Sequence, residues 1–312
     1  MNKASQKHSY QITLKGFLIT LLGAILFSTK AIFVKLAFHA TKVDAVTLLT
    51  LRMLCSLPFY LFAAWIVSNK ENKELLTNKD WFYIIALGIL GYYLSSLFDF
   101  IGLQYVSAGL ERLILFLYPT FAVLLNTFYF KTKLSRIQFM ALVLTYLGIG
   151  IAFFGELRLD NTNPSFFFGS FMIFLCAVTY SFYLVGTGRM VQKVGVTRYT
   201  AFVMLSATVG IFINFLLTKQ IQQIPFSLSL TGYSIALAIF ATVLPSFLMS
   251  NGMKRIGSNN VSIITSIGPV STILQAHLFL GEHIIPAQII GTALVISGVL
   301  LIGWQTKFSV PK

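Results

Sequence analysis

Residues 16–38 read GFLITLLGAILFSTKAIFVKLAF, an apolar run interrupted by two lysines and a few small polar residues. About 20 such residues cross the hydrocarbon core of a bilayer as one helix. Nine comparable runs follow, at 45–67, 81–103, 109–130, 136–155, 166–187, 198–218, 231–252, 259–280 and 286–305. Since none of them alternates with period 2, the pattern predicts an all-α membrane protein with ten transmembrane helices.

The overall composition agrees with a chain that lies almost wholly in lipid. Hydrophobic residues make up 56% of the 312 residues, charged residues 10%, and the mean hydropathy is +0.81. The first run is too long for the apolar region of a signal peptide and has no small-residue cleavage site, so we expect it to be retained. Cys55 and Cys176 each lie inside an apolar run, without metal-ligand spacing, and we predict neither a metal nor a cofactor.

The net charge of +14 reflects membrane orientation rather than a nucleic-acid partner. With the N-terminus inside, only Lys42, Arg158 and Lys219 fall in segments on the outer side, and four cations fall within or at the ends of runs. The other 16 of the 23 Lys and Arg lie in cytoplasmic segments. This bias predicts a multi-pass protein of the cytoplasmic (inner) membrane with both termini in the cytoplasm. No basic face interleaved with aromatic residues exists outside the runs, which argues against nucleic-acid binding.

The chain contains an internal repeat at an offset of 150 residues. The matching pairs are Gly102 with Gly252, Pro119 with Pro269, Gln138 with Gln288, and Gly148 with Gly298. Five runs per half is an odd number, so the second half must enter the membrane from the opposite side. We therefore predict two inverted five-helix repeats, residues 1–155 and 156–312, in one membrane unit. Such repeats are common in secondary transporters, whose site lies near the midplane between them.

Several segments resemble the EamA-like family of the drug/metabolite transporter superfamily. They are Pro269 in the ninth run, LFLGE at 278–282, Gln288 and GTALVISGVLLIG at 291–303. The fourth and fifth runs hold a weaker copy, Pro119 followed by KTKLS at 131–135. The segments FSTKAIFVKLAF at 27–38 and DFIGLQYVSAGLERLILFLYP at 99–119 are similar to one bacterial branch of that family. The resemblance covers almost the whole chain.

What the resemblance implies is a secondary-active transporter with a central cavity that works by alternating access. It favours export of small polar metabolites such as amino acids. A lipid or lipid-linked-sugar flippase is the alternative, because related members of the superfamily handle such substrates. An enzyme is disfavoured, because the chain offers no metal constellation and no Ser-His pair, and no ATP-binding motif is present. The expected partners are a small-molecule substrate and membrane lipids, with the protein as a monomer or homodimer.

Five charged residues inside the runs are the candidate functional residues. Each costs about 2.5–3.5 kcal/mol at a helix centre, so each needs a partner or a water-filled cavity. They are Lys30, Arg52, Asp99, Glu111 and Arg112, all expected in the outer half of the first repeat. Four of them have uncharged sister positions at the repeat offsets, since Asp99, Glu111 and Arg112 map to Met249, Val261 and Ser262, and Lys30 maps to Tyr183. Helix packing itself therefore does not require the charge. Two interpretations remain: buried ion pairs that set the register of the helices, or a binding site.

The functional interpretation assigns separate roles. Lys30, Arg52 and Arg112 outnumber the carboxylates and would bind a carboxylate or another anionic group of the substrate. Asp99 and Glu111 would couple proton movement. Tyr92 and Tyr183 would contact substrate, and Tyr118 and Tyr180 are further candidates for a cavity wall. Pro119 and Pro269 are predicted in mid-run, where a missing hydrogen bond makes a hinge or only shapes packing.

Overall fold

A computed structural model describes residues 13–68, 76–130, 136–159, 163–219 and 227–308. Seven of the cations used for the orientation argument lie outside the described residues: Lys3, Lys7, Lys70, Lys73, Lys131, Lys133 and Lys312. The KTKLS segment at 131–135 lies outside them as well.

Within those ranges the secondary structure is helical and contains no strand. The first half comprises α1 Leu14–Thr41, α2 Ala45–Ser68, α3 Asn78–Ala86, a π-helical segment Leu87–Tyr93, α4 Leu94–Gly102, α5 Ala108–Leu115, α6 Tyr118–Phe130 and α7 Arg136–Leu159. The second half comprises α8 Phe166–Val194, α9 Val196–Thr218, α10 Leu228–Ala238, a π-helical segment Ile239–Val243, α11 Leu244–Ile264, α12 Ile267–Leu280 and α13 Pro286–Phe308. The predicted all-α class is confirmed.

Seven helices in the described part of the chain are long and apolar enough to cross a membrane. They are Leu14–Thr41, Ala45–Ser68, Asn78–Gly102, Phe139–Arg158, Phe166–Val194, Val196–Thr218 and Leu228–Gly257, and two shorter apolar helices are Ile267–Leu280 and Pro286–Leu301. The predicted fourth run is interrupted by a turn at residues 116–117, and the ninth by a turn at residues 265–266. Hydropathy does not report where the hydrogen bonds of a helix are interrupted. Each of these apolar runs therefore predicted one helix where the structure has two.

Polar residues begin several of these helices. The side chains of Thr13, Ser107 and Ser227 accept hydrogen bonds from the backbone amides three residues later. Such caps satisfy amides that have no partner within the helix. At Gly195 and Gly281 the chain leaves α8 and α12 with φ of 89° and 69°, which glycine adopts without steric cost.

Contacts between loops define two ends of the molecule. At one end, called the Glu282 end, the Glu282 carboxylate meets the start of α5, and Lys219 pairs with Asp44 at 3.2 Å. At the other, called the Asp80 end, Lys193 Nζ lies 2.6 Å from Asp80 Oδ1.

The two halves pack against each other instead of forming separate cores. Helix α1 packs on α10, α11 and α12 of the second half, and α7 lies along α13. Glycines permit the closest approaches: a Cβ at Gly148 would lie 2.6 Å from the carbonyl oxygen of Gly291. Small residues let membrane helices approach in this way. The centre of the molecule therefore lies at the interface between the two halves.

Irregular segments recur in the two halves. The π-helical segments Leu87–Tyr93 and Ile239–Val243 lie about 150 residues apart. The turns at 116–117 and 265–266 have the same separation. The offset found in the sequence thus also relates irregular backbone features.

Candidate functional site

Lys30, Asp99 and Glu111 form a buried charged triad at the centre of the molecule. Lys30 Nζ lies 2.7 Å from Asp99 Oδ2 and 3.4 Å from Glu111 Oε1. The three residues are 6%, 1% and 0% exposed. One ammonium group is thus shared by two carboxylates out of contact with solvent.

Three helices bring the triad together. Lys30 lies in α1, Asp99 near the end of α4, and Glu111 near the start of α5. Gly102 fixes the end of α4 closely against α8, because a Cβ there would lie 2.4 Å from Ile173 Cδ1. The same packing places Cys176 Sγ of α8 4.0 Å from Asp99 Oδ1. The position of Asp99 therefore follows from a contact between the two halves.

Arg112 lies beside the triad, and no carboxylate oxygen of the described residues lies within 4.0 Å of its guanidinium. Its Nη2 donates to Ser28 Oγ at 3.5 Å, and its guanidinium lies 5.4 Å from the centre of the Phe27 ring. A Cβ at Gly268 would come within 2.4 Å of Nη2, so only glycine leaves room for this group. Within the described ranges, Nε has no hydrogen-bond partner. The guanidinium thus keeps donor capacity.

Arg52 is buried apart from the carboxylates. It is 1% exposed, its Nη2 donates to Ser96 Oγ at 3.2 Å, and its Nε has no hydrogen-bond partner among the described residues. The guanidinium carbon lies 4.7 Å from the centre of the Phe100 ring and 6.0 Å from that of Tyr92. Aromatic faces stabilise a desolvated cation by about 2 kcal/mol or more. Sequence reasoning treated all five charges as one cluster, but the fold separates Arg52.

The predicted buried ion pairs with Asp99 and Glu111 are observed for only one of the three cations, Lys30. In the parts of the chain that the structure describes, Lys30 is the sole cation of the five with a carboxylate oxygen within 4.0 Å. Desolvating charges costs several kcal/mol per ion, and a pair offsets this only with good geometry and further hydrogen bonds. Ion pairing accounts for Lys30 but not for the two arginines.

An aromatic cavity adjoins the charges. It has a volume of about 20 Å³, enough for roughly one water molecule. One wall of the cavity comes from α1, the π-helical segment Leu87–Tyr93 and α8, and is lined by Phe27, Tyr92, Tyr180 and Tyr183. The rings of Tyr92 and Tyr183 meet edge to face at 5.5 Å, and those of Tyr180 and Tyr183 stack at 5.7 Å. Both predicted tyrosines therefore line one cavity.

The opposite wall comes from the second half. Thr242, Pro245, Ser246 and Met249 line it, and Ser246 Oγ lies 3.0 Å from the hydroxyl oxygen of Tyr60. Pro245 lies two residues after the end of the π-helical segment Ile239–Val243, which no sequence signal marked.

Pro119 and Pro269 do not lie in the middle of continuous helices. Pro119 is the second residue of α6 and Pro269 the third residue of α12. Prolines in a first turn remove no helical hydrogen bond, because the amide there has no partner within the helix. The predicted location in the middle of a helix is therefore wrong. Each proline lies in the first turn of the helix that follows the turn at 116–117 or at 265–266.

Sequence reasoning missed a polar network at the Glu282 end. The Glu282 carboxylate accepts hydrogen bonds from the amides of Ala108 at 3.0 Å and Gly109 at 3.4 Å. Glu156 accepts from Ser107 Oγ at 2.8 Å and from the Gln288 side chain. The short motif LFLGE followed by Gln288 was the available signal, but it was used only as a sign of family.

The geometry describes a multi-pass membrane protein whose polar centre lies between two related halves. The family model of the EamA-like transporter family matches residues 14–154 and again residues 167–304. The chain belongs to this family, and the predicted resemblance is confirmed. It is a membrane transporter by family.

Relatives match along most of the chain. YcbK, an uncharacterized transporter of Bacillus subtilis, is 30% identical over 296 residues, 93% of each chain. YicL, an uncharacterized inner membrane transporter of Salmonella typhimurium, is 21% identical over 297 residues, 95% of this chain and 97% of YicL. A crystal structure 19% identical to the chain has a TM-score of 0.67 and covers 96% of this chain and 99% of that one. The last similarity shows the fold alone.

Proposed function

We propose that the protein is a secondary-active transporter that exports small polar metabolites such as amino acids by alternating access. The observation that carries this proposal is the buried charge cluster beside an aromatic cavity, lined from both halves. A site between repeats, near the middle of the membrane, is what such transporters use. No Walker-type motif is present to supply energy from ATP.

Ten membrane crossings in two inverted five-helix repeats, residues 1–155 and 156–312, form the proposed scaffold. Seven long helices supply seven crossings. The joined pair α5 and α6, the segment from Gly257 through α12, and α13 would supply the remaining three. The recurrence of π-helical segments and turns supports the repeat.

The Asp80 end is the proposed cytoplasmic end, with both termini on that side. Described cations near it in the chain are Lys15, Lys79, Arg189, Lys193, Arg198, Lys254 and Arg255. The Glu282 end has Lys42, Arg158 and Lys219. A cytoplasmic excess of Lys and Arg orients such proteins. The relative YicL is named an inner membrane transporter, which supports the same membrane here.

The site residues have proposed roles that follow from their contacts. Arg112, Arg52 and Lys30 would hold an anionic group, and Tyr92 and Tyr183 would contact the body of the substrate. Asp99 and Glu111, which share Lys30, would couple transport to proton movement. Pro119 and Pro269 would act as hinges at the joints that start α6 and α12. We expect a monomer or homodimer.

The flippase alternative has one surface to consider. An apolar groove of about 540 Å³ follows α7 along Tyr146, Leu147, Gly150, Ile151 and Phe154. Its lining shares no residue with the aromatic cavity. A lipid in this groove would therefore not reach the charge cluster, which favours the metabolite transporter.

A thermal-shift screen of purified wild type and Arg112→Ala tests the function. Binding to the native state raises the apparent melting temperature by mass action. We expect carboxylates among a panel of amino acids, organic acids, nucleosides and sugars to stabilise the wild type and not the variant. Stabilisation that survives in Arg112→Ala would contradict a binding role of Arg112. Stabilisation by lipids alone would favour the flippase.

A further inference from the structure

The buried cluster carries one more positive charge than its own carboxylates balance. Lys30 and Arg112 lie with Asp99 and Glu111, Arg52 is buried apart from both carboxylates, and each of the five is at most 6% exposed. Both carboxylates are bound to the one lysine. In the described chain, the Nε atoms of Arg52 and Arg112 are buried and without a hydrogen-bond partner.

Other charged groups near the cluster do not remove this excess. Glu282 lies at the surface end of α5, where two backbone amides bind its carboxylate. Glu156 is bound by Ser107 and Gln288 and interacts electrostatically with Lys35. Cys176 contributes a neutral thiol beside Asp99. The excess thus remains with the two arginines.

All three cations lie against rings of the aromatic cavity, although none of them is among the described residues that line it. Lys30 Nζ lies 5.2 Å and the Arg112 guanidinium 5.4 Å from the centre of the Phe27 ring, and Arg52 lies 6.0 Å from that of Tyr92. Phe27 and Tyr92 line the cavity. The cavity holds about one water in this state, so an anion would enter beside these rings when the site opens. Its charge would then balance the excess, and its apolar body would rest against the rings.

We propose that the protein is an anion exchanger whose substrates are organic carboxylates of net charge −1 with a flat apolar body. The inference rests on the proposed transport function, adds exchange as its mode, and narrows its substrate class from small polar metabolites to monoanions, which leaves out amino acids without net charge. A carrier that changes its exposed side must move its site through a state closed to water. A closed site with an unbalanced charge is costly, so the change is fast only with an anion bound. A protonated carboxyl would add to the excess and strengthen this requirement.

Proteoliposomes with labelled phenyllactate test the proposal. Phenyllactate is a monoanion with an aromatic ring, and phenylalanine has the same skeleton but no net charge. We expect uptake into vesicles loaded with unlabelled phenyllactate to exceed uptake into unloaded vesicles by about tenfold or more. Exchange should be insensitive to a potassium diffusion potential set with valinomycin, because charge moves in both directions equally. Phenylalanine should compete poorly.

Arg52→Met and Arg52→Lys form the matched pair of variants. The methionine variant removes the excess charge, so we expect the ratio of exchange to net uptake to fall to about one or two. The lysine variant keeps the charge and should keep the high ratio. The potential measurement uses the wild type, so the proposal stays testable if Arg52→Met does not fold.

The outcomes separate the inference from the proposed function. Equal rates in loaded and unloaded vesicles would overturn exchange while transport stands. Movement of phenylalanine in preference to phenyllactate would overturn the monoanion class. If neither of these compounds nor any other in the metabolite panel moves, the transport function and the inference fail together.

Discussion

Lys30 and its sister residue Tyr183 show how a repeat diverges at a single site. The alignment of the two halves predicts that they occupy equivalent positions in α1 and α8. Tyr183 lines the aromatic cavity, and Lys30 lies against Phe27, which lines it as well. One half supplies an ammonium group and the other a phenol.

Asp99→Asn tests proton coupling at the residue scale. Asparagine has nearly the same shape as aspartate but no charge to share with Lys30, so binding geometry should persist. We expect the dependence of transport on a pH gradient to be lost while substrate affinity changes by less than about tenfold. Flux in proteoliposomes at several pH gradients measures this. Unchanged dependence on the gradient would refute coupling through Asp99, and Asp44→Asn serves as a control at the surface.

Asp44 gives a separate pH prediction, for stability. Burial alone would raise the pKa of the Asp44 carboxyl, but hydrogen bonds from Thr47 and the pairing with Lys219 outweigh it and lower this pKa below its usual value. A lowered pKa contributes stability above the usual value and loses it as the pH falls through the lowered one.

Asp44→Asn should therefore lower the melting temperature slightly at pH 7. The free energy of unfolding should fall by well under about 1 kcal/mol, because the pair is partly exposed to solvent. The difference in stability should shrink as the pH falls below about 4 and vanish below the lowered pKa of Asp44. Asparagine keeps the cap on α2, so only the charge is tested. A difference in melting temperature between wild type and variant that does not change with pH would argue against a contribution of the Asp44 charge to stability.

At the scale of elements, joints and close helix pairs shape the site. The turn at 116–117 separates α5, which holds Glu111 and Arg112, from α6. The matching turn at 265–266 precedes Gly268, on which the Arg112 guanidinium rests. The two interrupted helices thus meet at the charge cluster.

Gly148→Ala and Gly150→Ala test the packing of α7 on α13. A Cβ at Gly148 would lie 2.6 Å from the carbonyl oxygen of Gly291, whereas a Cβ at Gly150 meets nothing within 4 Å. We expect Gly148→Ala to destabilise by about 1–3 kcal/mol, because backbone cannot give way easily. Gly150→Ala should be neutral or slightly stabilising. Thermal unfolding in detergent compares them, and equal effects would contradict the close contact.

At the scale of the molecule, the Glu282 end joins the halves. The carboxylate of Glu282 in the second half binds the amides that begin α5 in the first half. Negative charge at a helix N-terminus is favourable. In the proposed orientation, with the Glu282 end on the outer side, an outward-open state of the transporter would require this contact to part.

Glu282→Ala should therefore expose the centre to the outer side. Cys176, which is 3% exposed beside Asp99, is a natural reporter once Cys55 is replaced by serine. We expect a membrane-impermeant maleimide to label Cys176 several-fold faster in Glu282→Ala, since two amides lose their acceptor. Glu282→Gln retains an acceptor oxygen and should label more slowly than the alanine variant. If Cys176 were labelled at the wild-type rate in both variants, the contact between Glu282 and the start of α5 would not be what shields the centre.

Much of the fold could be predicted from particular residues. The apolar runs located the helices, and Pro119 and Pro269 identified the repeat. Charges inside apolar runs pointed to Lys30, Asp99 and Glu111 because such charges need partners. The separation of Arg52, the joint position of both prolines and the role of Glu282 were not predictable, since each depends on which helix face meets which neighbour.

The sequence by itself determined the helical class, the approximate position of the helices, the repeat and the family, because these depend on local hydropathy and on residue spacing. Only the tertiary structure decided which charges meet. Lys30 and Asp99 are 69 positions apart in the chain and 2.7 Å apart in space, while Arg52 contacts aromatic rings instead. Contact across helices depends on rotation and register about each axis, and an apolar helix in lipid carries little periodic signal that records either.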